Sequence, residues 1–185
     1  MYTKPRRGVL SCEAMIRDCI IHLPPISLFK DFYIKGNEIM YIFLDIDGVL
    51  NTESDWKAPY TLNPACLDAF AETFKNIHPK IILISSWSAG FISKNNPSNT
   101  PQIQKLEKEL HKRGLEISGR IPVFLKNRDA AVQQYRKTLP ERGETLLVID
   151  DDINEYTQKY PELYLTNYKT GFTLKDKKQI QKLFI

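Results

Sequence analysis

From residue 41 onward, short apolar runs alternate with segments whose apolar residues recur every three or four positions. "YIFLD" opens the series as a strand. Asn63-Pro64 then supplies a helix N-cap followed by proline at the first helical position. Leu67, Phe70, Phe74 and Ile77 mark one face of the helix that follows. "KIILIS" (residues 80 to 85) is a second buried strand. Thr100-Pro101 opens another helix, with Ile103, Leu106 and Leu110 on one side and Gly114 past its end. "ISGRIPVF" is a shorter extended piece, and "RDAAVQQYRKTL" reads as a helix through Val132, Tyr135 and Leu139. "TLLVID" (145 to 150) and "LYLTN" (163 to 167) are the third and fourth strong strands. Thr173 with Asp176 makes a capping pair for a terminal helix carrying Ile180, Leu183 and Phe184.

Continuous apolar strands separated by amphipathic helices predict an α/β fold, a parallel sheet covered by helices on both faces. Residues 1 to 39 lack this rhythm and carry the two prolines of "HLPPI". They read as an N-terminal extension, with the compact domain running from Met40 to Ile185. A chain of 185 residues suits one such domain, which buries about 70% of its unfolded surface.

Composition narrows the setting. Three cysteines, odd in number and without a CxxC pair, argue against a disulfide framework and for a reducing compartment. Cys12, Cys19 and His22 match no common zinc spacing. No apolar run is long enough to span a membrane, and Glu13, Arg17 and Asp18 interrupt any signal-peptide core. The expectation is a cytoplasmic protein. A net charge of +4 permits a polyanionic partner without requiring one.

Chemistry gathers at the strand ends. In an open parallel sheet, ligands sit at the carboxyl ends of the strands. Here those ends read Asp45 and Asp47, then Ser85 and Ser86, then Asp150, Asp151 and Asp152. Carboxylates brought to one edge repel each other unless a cation or a shared proton offsets them. Magnesium suits them, since it takes one or two carboxylates and leaves room for a phosphate. Residues two apart on a strand share a face, so Asp45 and Asp47 are expected to face one site. Gly48 then permits a sharp turn. One aspartate can attack phosphorus while the other serves as acid and base.

The segments "FLDIDGVLN", "IILISSW", "NRDAAVQQY" and "LLVIDDD" resemble, in that order, the four motifs of haloacid dehalogenase (HAD) superfamily phosphohydrolases. With "TGFT" near the end, the layout is similar to the small HAD domains associated with RNA-repair proteins. The resemblance implies a three-layer Rossmann-like fold and a phosphatase that uses Mg2+ and an aspartyl-phosphate. It implies Asp45 as nucleophile and metal ligand, and Asp47 as acid/base that binds metal through its backbone carbonyl. Ser85, with Ser86 as the alternative, would hold the phosphoryl group. Arg128 or Lys126 would be the basic residue on the phosphate. Asp150 and Asp151 would complete the metal site, and Asp152 would cap the next helix.

Only about 15 residues separate Asp47 from the helix at Pro64, enough for a flap but not a folded cap. An uncapped site, a positive chain and Trp56 and Trp87 in nearby loops suit a phosphorylated substrate such as a nucleotide or a nucleic-acid end. The two tryptophans read first as packing residues, with stacking on a base as the alternative. Two further readings share these motifs: a phosphotransferase, and an inactive HAD-like module binding nucleic acid or a protein partner.

Overall fold

The computed structural model describes residues 39–122, 127–139, 144–156 and 162–182. The N-terminal extension, Lys126, Leu183 and Phe184 lie outside the described residues. Five parallel strands form the sheet: β1 (Ile39–Leu44), β2 (Lys80–Leu83), β3 (Ile117–Arg120), β4 (Glu144–Asp150) and β5 (Leu163–Leu165). Their order is β3-β2-β1-β4-β5, so β1 is central, with β2 on one side and β4 on the other. The helices are α1 (Pro64–Phe74), α2 (Pro101–His111), α3 (Arg128–Arg136) and α4 (Leu174–Gln181).

Alternation along the strands divides the core into two layers. Ile42 and Leu44 of β1, Ile81 and Leu83 of β2, and Leu147 and Ile149 of β4 pack with Phe70 and Phe74 of α1. Ile103, Leu106 and Leu110 of α2 and Ile180 of α4 complete this layer. On the other face, Phe43, Ile82 and Val148 meet Val132 and Tyr135 of α3. The expected three-layer α/β fold is therefore present, with α1, α2 and α4 on one side of the sheet and α3 on the other. Deleting a ring such as Phe70 or Phe74, both fully buried, costs on the order of 3–5 kcal/mol.

Local signals set the helix starts. The Asn63 side chain accepts from the Ala65 amide, and Pro64 takes the first helical position. Thr173 and Asp176 form a reciprocal capping box at the start of α4. Two strands are weaker than their apolar content suggests. β5 holds only three residues at the sheet edge, with Leu165 exposed. β3 is the opposite edge, reached from β2 through a shift in register. Between β1 and α1 the chain makes only a 3-10 turn, Glu53–Lys57, so the described residues hold no folded cap there.

Candidate active site

β1 ends at Leu44, and the next residues leave the sheet at its carboxyl edge. The Asp45 amide still donates to Ile149 of β4 (3.0 Å), after which the Val49 and Leu50 amides turn back onto the Ile46 carbonyl. This corrects the expectation drawn from strand alternation. Asp45 and Asp47 are arranged by a turn, and their carboxylates have different surroundings. Gly48 makes the turn with φ +73°, and a Cβ there would run into the Asp151 carboxyl group. Only glycine lets the β1 loop lie against the β4 loop so closely.

Asp45, Asp150 and Asp151 come together, each offering a carboxylate oxygen within 4.8 Å of the others. Asp45 and Asp150 are buried, and Asp151 is half-buried. Arg128, at the first position of α3, enters this cluster from the opposite face of the sheet. Its Nη1 lies 3.1 Å from Asp45 Oδ2 and 2.5 Å from Asp150 Oδ2. Its Nε is buried with no hydrogen-bond partner among the described residues and lies 3.9 Å from Glu155 Oε2.

Asp150 accepts four hydrogen bonds. Oδ1 accepts from the amides of Asp151 (2.8 Å) and Asp152 (3.0 Å). Oδ2 accepts from Arg128 and from the buried Tyr156 hydroxyl (2.7 Å). Asp152 itself caps the short turn that follows, accepting from the Asn154 amide.

The electrostatics follow from burial. Loss of water pushes the Asp45 carboxyl up to about 7; Arg128 opposes this, Asp150 adds to it, and a hydrogen bond from Ser85 lowers it again. Asp151 is pushed up to about 6, by burial first and then by Asp150. Burial disfavours the Arg128 charge, but Asp45 and Asp150 outweigh it and raise its pKa. Three acids thus face one guanidinium, which leaves the cluster short of positive charge when all are ionised. A hard divalent cation is what an all-oxygen donor set in this state accommodates. The residues fit magnesium.

Asp47 stands apart from this cluster. Its carboxylate is half-buried and held by neutral donors: Asn51 Nδ2 (2.8 Å to Oδ1) and Trp87 Nε1 (3.1 Å to Oδ2, 3.3 Å to Oδ1). Asn51 is buried and fully engaged. Its Oδ1 accepts from the Gly48 amide (2.9 Å) and from Trp56 Nε1 (3.0 Å), and its Nδ2 also donates to the Thr61 carbonyl. Ser85 is completely buried just beyond β2, where its hydroxyl also accepts from the Trp87 amide. Ser86 is the exposed first residue of the turn Ser86–Gly90.

The stretch from Thr166 into "TGFT" has a structural task. The Thr166 hydroxyl donates to the Gly48 carbonyl, Phe172 N to the Val49 carbonyl, and Glu53 N to the Tyr168 carbonyl. Gly171 lies so near Cys66 Sγ (2.5 Å from an added Cβ) and Asn51 O (2.9 Å) that a side chain has no room. Residues 166 to 172 thus prop the turn that carries Asp47.

Sequence reasoning assigned no role to Asn51 or Tyr156, and it left Trp87 between packing and stacking. Asn51 lies inside the quoted "FLDIDGVLN", four residues after Asp47, so a signal was present. Tyr156 follows Asp150 by six residues with no motif around it.

The chain belongs to the family described as HAD domain in Swiss Army Knife RNA repair proteins, which matches residues 41–177. That span takes in the sheet, Asp45, Asp47, Ser85, Arg128 and the Asp150–Asp151 pair. No curated protein and no solved structure matches the chain. No helix among the described residues is long and apolar enough to cross a membrane.

Proposed function

We propose that this domain is a magnesium-dependent phosphomonoester hydrolase that works through an aspartyl-phosphate on Asp45, with nucleotides or phosphorylated nucleic-acid ends as substrates. The observation that carries the reading is the buried grouping of Asp45, Asp150 and Asp151 around Arg128, in a chain of an RNA-repair HAD family. Buried acids destabilise a fold, and sites that keep them tend to be functional ones.

Asp45, Asp150 and Asp151, with the Asp47 backbone carbonyl, would hold magnesium, which supplies positive charge against the phosphoryl oxygens. Asp45 Oδ attacks phosphorus, the bond from phosphorus to the leaving oxygen breaks, and Asp47 gives that oxygen its proton. Water then attacks the phosphoenzyme, its proton goes to Asp47, and the Asp45 carboxylate is released. Arg128 holds the phosphoryl group with a guanidinium edge whose Nε has no hydrogen-bond partner among the described residues. Ser85, whose hydroxyl bonds Asp45 in the substrate-free chain, would transfer that hydrogen bond to a phosphoryl oxygen.

The test is turnover of an aryl phosphate with magnesium and with excess chelator. Asp45→Asn, nearly the same size, is expected to lower kcat by at least about 10³-fold while circular dichroism is unchanged. Turnover that survives both chelation and Asp45→Asn overturns the reading.

A further inference from the structure

Three aromatic rings are exposed among the described residues, Trp56, Tyr60 and Tyr168, and all three converge on Asp47. Trp56 donates to Asn51, which donates to the Asp47 carboxylate, so the Trp56 ring is two hydrogen bonds from it. Tyr60 stands edge-on against Trp87, ring centroids 5.2 Å apart, and Trp87 donates to the same carboxylate. Tyr168 stacks on Trp56 at 6.2 Å and 20°, and the Lys169 ammonium lies 5.7 Å from the Tyr168 centroid. None of these rings touches the Asp45 cluster through a contact given above. Trp56 and Tyr60 lie one side chain beyond Asp47, the acid/base of the proposed reaction.

Large exposed rings lose favourable burial unless something planar covers them. Here they are held rather than loose. The Trp56 N–H is bonded, and the Glu53 amide ties the Trp56 turn to the Tyr168 carbonyl (2.9 Å). Fixed aromatic faces beside a cation are the arrangement that stacks nucleobases, and stacking tolerates any base.

We propose that Trp56, Tyr60 and Tyr168, with Lys169, form a seat for the base of the nucleoside that leaves when phosphate is transferred to Asp45. The inference rests on the hydrolase reading above and adds residues to its substrate class. The seat selects for a base next to the scissile phosphate and does not select which base.

Binding is measured separately from turnover. Asp45→Asn protein with magnesium is titrated calorimetrically with adenosine 3′- and 5′-monophosphate and with ribose 5-phosphate. At least one mononucleotide is expected to bind about tenfold tighter than ribose 5-phosphate. Trp56→Ala or Tyr168→Ala in that background is expected to remove most of the difference, and Trp56→Phe to keep it. Equal affinity for nucleotide and sugar phosphate, or a preference untouched by both alanine variants, overturns the seat. The same ligands are then offered to the unmutated chain as substrates. Ring-dependent binding without hydrolysis of any phosphomonoester keeps the seat and rejects the hydrolase. Hydrolysis without a base preference does the reverse.

Discussion

The two aspartates of "DIDG" are separated by one residue and occupy opposite halves of the site. Around Asp45 ionic groups dominate: two more acids and one guanidinium beside the Ser85 hydroxyl, and a pKa raised by burial. Around Asp47 the partners are neutral, an amide and an indole, with exposed rings beyond them. The difference teaches how one loop can serve two tasks. The ionic half is suited to a phosphoryl group and a cation, whose charges it balances. The neutral half holds the Asp47 carboxylate in one orientation without adding a competing charge, as the proposed acid/base role requires.

The comparison breaks most severely at Arg128. Replacing it with Met leaves Asp45 and Asp150 buried without their partner, and losing one side of a buried ion pair costs about 3–5 kcal/mol. Urea unfolding of Arg128→Met in chelator is expected to show that loss, with magnesium restoring part of it. A variant as stable as the original chain in chelator would mean that the cluster is not held together by this guanidinium.

The neutral half is tested at Trp87. Trp87→Phe keeps a ring in place and removes the N–H on Asp47. For an alkyl phosphate, whose leaving oxygen needs a proton, kcat is expected to fall about 10- to 100-fold with KM little changed. For a nitrophenyl phosphate, which leaves readily, the fall is expected to be smaller. Equal losses on both substrates would indicate a structural role instead.

The smallest effect concerns stability and pH in the absence of magnesium. The folded protein binds the Asp45 proton up to about pH 7, while the unfolded chain releases it near 3.8. Stability is therefore fully present below about pH 4 and declines as pH rises toward 7. Asp45→Asn removes this dependence. In chelator at pH 8 it is expected to be more stable than the original chain, by a gap that closes toward pH 4. Thermal unfolding across that range checks the sign.

What was legible in the sequence was local. Asn63-Pro64 and Thr173 with Asp176 announce helix starts because the capping contacts lie within three residues. Apolar runs announced β1, β2 and β4 because both faces of these strands are covered. "LYLTN" looked as strong but holds only a three-residue edge strand, since an apolar run does not reveal whether a second neighbour exists. In the site, the motif order pointed to Asp45, Arg128 and Asp150, whose charges the fold brings together. The neutral half was not legible in the same way. The contact of Asp47 with Trp87 spans 40 positions, and the turn after Leu44 removed the alternation from which shared orientation had been inferred.

The central place of β1 also bears on how the molecule is made. Its neighbour on one side, β4, lies far along the chain, with Ile39 paired to Glu144. At synthesis rates of about 5–20 residues per second, β1 waits several seconds or more before β4 exists. During that interval one edge of an apolar strand, "IMYIFL", has no native partner, which is the condition that invites pairing with other chains. The acidic group cannot assemble in that time either, because Asp150 and Asp151 come at the end of β4 and just beyond it. Maturation of the site is thereby tied to closure of the sheet, and a chain stalled before residue 144 would carry Asp45 without the acids that the fold gathers beside it.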